Sequence, residues 1–262
     1  MSESSAAART ICRSWSWLVF CILLLVGETD VVAGIRLQFV RHASGDEREV
    51  EDYLRESACL GRIVASLNRN LRFPRDMTIE LGTDDGPLYD VGTGTIRIPY
   101  ALGFLPSPVD ARFDMVERRM LYPGAFAFAV SHEIGHALIH LYHWRVRSMA
   151  EEEELADALA VHLVLHVLDC REAVTEALAN VVRSGETETE GIDSTACLRP
   201  ARAERVFCWL AGADTDASSW FWKLGLISNE SPEGCRERYR ALEVRLETLL
   251  RQAERSSSDG RP

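Results

Sequence analysis

The sequence predicts an α+β fold with a small antiparallel or mixed sheet, a buried helix that carries a His-Glu-x-x-His motif, and a helical C-terminal part. Segments in which apolar and polar residues alternate predict strands at 35–40, 77–81 and 95–100. From residue 126 onward, apolar residues recur at helical spacing or form long runs, which predicts helices. A chain of 262 residues, 47% hydrophobic and 26% charged, is typical of one globular domain.

The first 33 residues have the three parts of a secretory signal peptide. Arg9 and Arg13 precede an apolar run at 15–26, and Val31-Val32-Ala33 forms a cleavage site of small residues. The apolar run is shorter than the roughly 20 residues that span a bilayer. We therefore expect cleavage near Ala33 and export to the periplasm or the extracellular space. An uncleaved N-terminal anchor is the alternative.

Cleavage would leave a folded domain at 34–254, a disordered tail at 255–262 and no stable membrane span. The formal net charge of −11 argues against nucleic acids and anionic membrane surfaces as partners. Nothing in the sequence indicates the oligomeric state.

One long helix and two turns connect the predicted strands. Apolar residues recur at helical spacing from Asp46 to Leu71, which predicts one amphipathic helix that ends before Pro74. Gly and Asp residues predict turns at 84–87 and 92–94. Pro99 lies near the end of the third strand and favours an edge position for it in the sheet.

The most distinctive stretch is 126–143, an apolar run that contains His-Glu-Ile-Gly-His at 132–136. Its length without Pro predicts a buried helix, separated by Pro123-Gly124 from a charged helix at 109–120. Residues four apart lie on one helix face, so His132 and His136 can direct their imidazoles at one ion. Glu133 lies about 100° around the helix, within reach of a water on that ion. The alternative is a buried helix with two hydrogen-bonded histidines.

A second helix is predicted to supply the third ligand. Ser148 and Glu151 have the spacing of an N-terminal capping box, and the helix continues past 168. Glu153 and Asp157 lie about 40° apart on one face of this helix. Glu153 is predicted to bind the metal, with Glu154 as the alternative. Asp157 is predicted to accept the free N–H of a ligand histidine.

Other polar residues of these two helices are not predicted as ligands. His140 lies about 12 Å along the first helix from His132, too far to share its ion. His162 and His166 fall on the opposite side of the second helix from Glu153. The glutamates at 151, 152 and 154 are typical of a solvated first turn, which the helix dipole favours.

The motif of 132–136, followed after seventeen residues by Glu153-Glu-Leu-Ala-Asp157, resembles the gluzincin pattern HExxH plus ExxAD. Over about 54–250 the chain is similar to a bacterial family of exported metallopeptidases that is classed as a domain of unknown function. That resemblance includes a turn at Tyr89-Asp90, together with Cys208-Trp209 and Cys235. It implies a zincin-like fold of the minimal gluzincin type, with Zn²⁺ held by the two motif histidines and Glu153.

The same resemblance implies a disulfide between Cys208 and Cys235. Five cysteines remain after signal cleavage, an odd number, and no two of them form a CxxC pair. A cysteine-based zinc site is therefore not predicted. The alternative to the disulfide is a set of buried free thiols.

These features predict a zinc metalloendopeptidase that hydrolyses peptide or protein substrates, with Glu133 as general base. The strand at 95–100 is predicted to hold an extended substrate if it lies at an edge beside the motif helix. Two alternatives are an exported metal-binding protein without catalysis and a metal-free helical interaction module of the envelope. Four side chains are candidates for stabilising the oxyanion: Tyr142, Arg202, Arg205 and Tyr239.

Overall fold

A four-stranded sheet and a larger helical part give the chain the predicted α+β architecture, which is consistent with a zincin-like fold. The computed structural model describes residues 33–258 except 41–44, 46, 57–58, 72, 105–114, 169, 172–173, 176–177, 180–199 and 215–218. The elements, in chain order, are β1 (Ile35–Phe39), α1 (Glu47–Glu56), α2 (Cys59–Asn70), β2 (Met77–Leu81), β3 (Leu88–Asp90), β4 (Thr95–Ile98), a 3-10 helix (Tyr100–Phe104), α3 (Met115–Leu141), α4 (Met149–His166), α5 (Pro200–Ala213), α6 (Trp220–Lys223) and α7 (Pro232–Ser258).

Nearly all of the predicted signal peptide and half of the predicted disordered tail lie outside the described residues. Residues 1–32, which hold nearly all of the signal peptide, and residues 259–262 remain sequence predictions. Helix α7 extends to Ser258, beyond the predicted end of the folded domain at 254. No helix in the described part of the chain is long and apolar enough to cross a membrane.

The sheet is mixed, with strand order β1-β2-β4-β3. Strands β1, β2 and β4 are parallel, and β3 pairs antiparallel to β4. The strand predicted at an edge, β4, therefore lies inside the sheet, and that prediction is wrong. It ends at Ile98, so Pro99 follows the hydrogen-bonded ladder and removes no donor from it. The described edge near the motif helix is β3, whose three residues are too few to show alternation in the sequence.

Helices α1 and α2 lie within the single helix predicted from Asp46 to Leu71. Ser57 and Ala58, between the two, lie outside the described residues. The apolar face itself is as predicted, because Val50, Leu54 and Leu67 are buried. This burial places both helices in the same apolar core as the inner strands.

Helix α3 is continuous from Met115 to Leu141, although Pro123-Gly124 was predicted to separate two helices. An interior Pro removes one hydrogen bond and costs about 3 kcal/mol. The segment that follows is almost wholly buried, and each buried Phe or Leu stabilises the fold by about 1.5–3 kcal/mol. Packing of the helix therefore outweighs the cost of the Pro. Helix α4, by contrast, ends at His166 and does not run on past 168 as predicted.

Cys208 on α5 and Cys235 on α7 form the disulfide that the family resemblance implied, with their Cα atoms 5.0 Å apart. The bond joins two helices of the C-terminal part, and both cysteines are buried. Cys170 is partly exposed.

Replacing both Cys208 and Cys235 by Ala should lower the free energy of unfolding by roughly 3–4 kcal/mol, since the bond closes a loop with a sequence separation of 27. Urea denaturation of wild-type and variant protein measures this difference. Cys170→Ala serves as the control and should change stability much less. Equal unfolding free energies for the double variant and the wild type would rule out a stabilising role.

Candidate metal centre

The centre depends on the close packing of α3 against α4. A Cβ atom placed on Gly135 would lie only 2.8 Å from Cα and the carbonyl oxygen of Ala156. Any larger residue at this position of the motif would push the two helices apart. Gly135 therefore allows side chains of the two helices to meet at short distance.

The three predicted ligand side chains meet at this contact. Nε2 of His132 lies 3.2 Å from Nε2 of His136. The two oxygens of Glu153 lie 3.5 Å from Nε2 of His132 and 3.3 Å from Nε2 of His136. One ligand atom from each residue lies within 4.8 Å of the others, so this group could hold a metal ion.

Glu154 points away from this group. Its carboxylate lies 3.6 Å from Nη1 of Arg205, and its side chain is 46% exposed. The geometry therefore favours Glu153 over the alternative ligand Glu154. The difference follows from helical geometry, because consecutive residues lie about 100° apart around the axis.

The start of α4 fixes this register. Ser148 is the N-cap, and its side chain accepts a hydrogen bond of 3.2 Å from the N–H of Glu151. The Glu151 carboxylate reaches back to the N–H of Arg147 at 2.8 Å, rather than to that of Ser148 as a standard capping box would have it. The predicted cap is thus present, with its return bond displaced by one residue.

Asp157 is fully buried and contacts both His132 and Arg202. Its Oδ1 lies 3.0 Å from Nδ1 of His132, as predicted for a carboxylate that orients a ligand histidine. Arg202 donates two hydrogen bonds of 2.7 Å to the two carboxylate oxygens. Burial alone would raise the pKa of Asp157, but hydrogen bonds from these two partners lower it. The carboxylate therefore stays charged and holds the His132 proton on Nδ1.

The electrostatics of the group fit a cation. Burial opposes a charge on His132, but hydrogen bonds to Asp157 and Glu153 raise its pKa to about 9. Hydrogen bonds from His132 and His136 hold the pKa of Glu153 well below its usual range. The Glu153 carboxylate thus stays ionised, and a positive charge is favoured beside it. A divalent cation would occupy the same position with bonds to all three predicted ligands, so the residues fit a metal ion.

Glu133 is buried in α3, which packs against the edge strand β3. The backbone N–H of Tyr89 faces its carboxylate and acts to lower its pKa. Burial raises the pKa of Glu133 despite the two neighbouring histidines. A carboxylate with a raised pKa binds a proton more readily than a solvated one, as a general base must.

Two contacts of the metal centre, made by Glu152 and by Arg202, were not predicted from the sequence. Oε1 of Glu152 lies 3.0 Å from Nδ1 of His136 and 3.0 Å from Nε2 of His140. Glu152 was predicted to be solvated, and that prediction is wrong because its side chain is only 21% exposed. Arg202 was considered only for the oxyanion, whereas it also holds Asp157. Arg202 lies on α5, so no spacing within α3 or α4 could have indicated it.

The two histidines in the second half of α4 and the candidates for stabilising the oxyanion have different surroundings. His166 bonds to the Tyr239 hydroxyl at 2.7 Å, and burial lowers the pKa of the neighbouring His162 to about 4. The group of described residues that could hold a metal contains neither histidine. Tyr142 stacks on Trp144 with ring centres 5.8 Å apart. Among the four oxyanion candidates, Arg202 contacts the proposed ligands: its Nη2 lies 3.3 Å from Nε2 of His132, and its Nη1 lies 3.2 Å from Glu153.

No curated protein and no solved structure matches the chain. One family model does match, over residues 39–250, and therefore covers most of the sequence. This match confirms the resemblance noted from the motifs. The chain belongs to the family DUF4344, which is described as “Putative metallopeptidase”.

Proposed function

We propose that this protein is a zinc-dependent endopeptidase in which His132, His136 and Glu153 hold the metal and Glu133 is the general base. The observation that carries the proposal is the convergence of three ligand atoms within 4.8 Å beside a buried glutamate. Family membership supports a metal-dependent peptidase at a coarser level. The endopeptidase activity, the choice of zinc and the role of each residue are our inference.

Zinc suits this set of donors. Two imidazole nitrogens and one carboxylate form the protein ligand set of several catalytic zinc sites, which keep a fourth position for water or substrate. When bound, zinc lowers the pKa of a coordinated water toward neutrality and polarises the carbonyl of the scissile bond. Calcium and magnesium prefer oxygen ligands, so the two histidines disfavour them.

Three side chains around the proposed metal have separate roles in the reaction. The Glu133 carboxylate takes a proton from the attacking water and passes it to the nitrogen of the leaving amine. Asp157 keeps the proton of His132 on Nδ1, so that Nε2 presents its lone pair to the metal. Arg202 contacts His132 and Glu153, which makes it the favoured donor to the developing oxyanion.

An extended peptide would bind along β3. This strand is an edge of the described sheet and adjoins α3, and the Tyr89 N–H is already directed at Glu133. A peptide that adds to a sheet edge is held by its backbone, and the neighbouring side chains set the preference. We propose β3 in place of β4, which lies inside the sheet.

We also propose that the protein acts outside the cytoplasm after cleavage near Ala33. The disulfide between Cys208 and Cys235 supports this location, because such bonds persist mainly in oxidising compartments. N-terminal sequencing of material exported by a bacterial host tests the cleavage site.

A peptide-library digest tests the function. Protein lacking residues 1–33 should cleave peptides internally, lose this activity in a chelator and recover it when zinc is restored. Zinc binding without any cleavage would favour a metal-binding protein that lacks catalysis. Absence of zinc binding would favour a metal-free interaction module, and the enzyme proposal would fail.

A further inference from the structure

We infer that Glu152 is a positioning residue of the metal centre, which orients His136 and is itself held in place by His140. This inference rests on the proposed function, because it concerns the same metal site. It assigns a role to two residues that were not predicted as part of the site from the sequence.

The two motif histidines have matching surroundings. Nδ1 of His132 lies 3.0 Å from a carboxylate oxygen of Asp157, and Nδ1 of His136 lies 3.0 Å from Oε1 of Glu152. A carboxylate can only accept a hydrogen bond, so each contact requires the proton on Nδ1. With an ion bound, each Nε2 could then offer its lone pair to the metal, and both Nε2 atoms face Glu153.

This second carboxylate matters because a neutral imidazole can carry its proton on either nitrogen. Asp157 is fully buried, and the histidine that it contacts is His132. Without Glu152, nothing in the described contacts would fix the proton of His136 on Nδ1. Such carboxylate partners of ligand histidines typically contribute ten- to a hundred-fold in metal affinity.

Glu152 is restrained from its other side by His140. Nε2 of His140 lies 3.0 Å from the same Oε1 that bonds to His136. His140 follows His136 by one turn of α3, so the three side chains tie that helix to the first turn of α4. His140 therefore supports the metal centre through Glu152, although His140 lies too far along α3 to bind the same ion as His132.

The arrangement differs from an incidental surface ion pair. The side chains of His136 and Glu152 are 15% and 21% exposed, and that of His140 is 38% exposed. Exposed ion pairs contribute little because solvent screens them and long side chains lose entropy on pairing. Here a carboxylate oxygen accepts two hydrogen bonds in a mostly buried position, which restricts the side chain.

The test measures zinc affinity by competition with a chromophoric chelator at one fixed pH. Glu152→Ala should bind zinc about ten- to a hundred-fold more weakly than wild type. Glu152→Gln should recover most of that loss, since the amide oxygen can still accept from Nδ1. His140→Ala should lose less than Glu152→Ala, because Glu152 keeps its bond to His136.

Glu154→Ala is the matched control, because Glu154 lies in the same turn of α4 and contacts Arg205 instead of a histidine. If Glu152→Ala binds zinc as tightly as Glu154→Ala and wild type, the inference is overturned while the proposed zinc site stands. If wild type binds no zinc, both fail. If Glu152→Ala does not fold, the zinc affinity of His140→Ala decides. An affinity of His140→Ala no lower than that of wild type would overturn the inference.

Discussion

Replacing Glu133 by Gln should leave zinc bound while peptide hydrolysis falls by about a hundred- to ten-thousand-fold, the usual contribution of a general base. The amide cannot take a proton from water, yet it has nearly the same shape as the carboxylate. Its oxygen can also still face the Tyr89 backbone N–H. We therefore expect the fold and the ligand set to survive the change.

The experiment compares zinc content and rate of peptide cleavage in the same preparation of Glu133→Gln and wild type. Glu154→Gln is the control, since it changes the charge equally without touching the two histidines. A variant that retains near wild-type activity would show that Glu133 is not the base. A variant that loses zinc along with activity would leave Glu133 with a structural role.

Replacing His132, His136 or Glu153 by Ala should remove zinc, because each supplies one of three protein bonds and the remaining two residues form a much weaker chelate. Activity should disappear with the metal in all three variants. Metal analysis after dialysis against a weak chelator measures the loss directly, and circular dichroism checks that the helices remain.

The same series tests which glutamate binds. Glu153→Gln should lose zinc and Glu154→Gln should retain it, since only Glu153 lies within 3.5 Å of both motif histidines. The opposite pattern would mean that the ligand lies one residue further along α4 than proposed.

Much of the centre could be predicted from the sequence because helical spacing is a local property. The i, i+4 spacing of the motif places both histidines on one face of α3 without knowledge of other elements. The capping residue Ser148 similarly fixes where α4 begins, and hence which of its carboxylates share a face. Both helices exist in the structure with these faces directed at each other.

The errors concern properties that depend on tertiary contacts. Helix α3 continues through Pro123 because the buried segment after it outweighs a local preference. The β4 strand lies inside the sheet because β3, too short to recognise, pairs with its outer side. Glu152 resembles any glutamate of a solvated first turn until His136 and His140 are brought against it.

The central claim, that one metal ion is held by residues of α3 and α4, is tested most directly by diffraction from crystals of the zinc-loaded protein. Data collected on both sides of the zinc absorption edge locate the ion without assumptions about activity. We expect one anomalous peak about 2.0–2.2 Å from Nε2 of His132, Nε2 of His136 and an oxygen of Glu153. A zinc peak elsewhere with none at this position would contradict the account. Zinc held by other residues would contradict it as well.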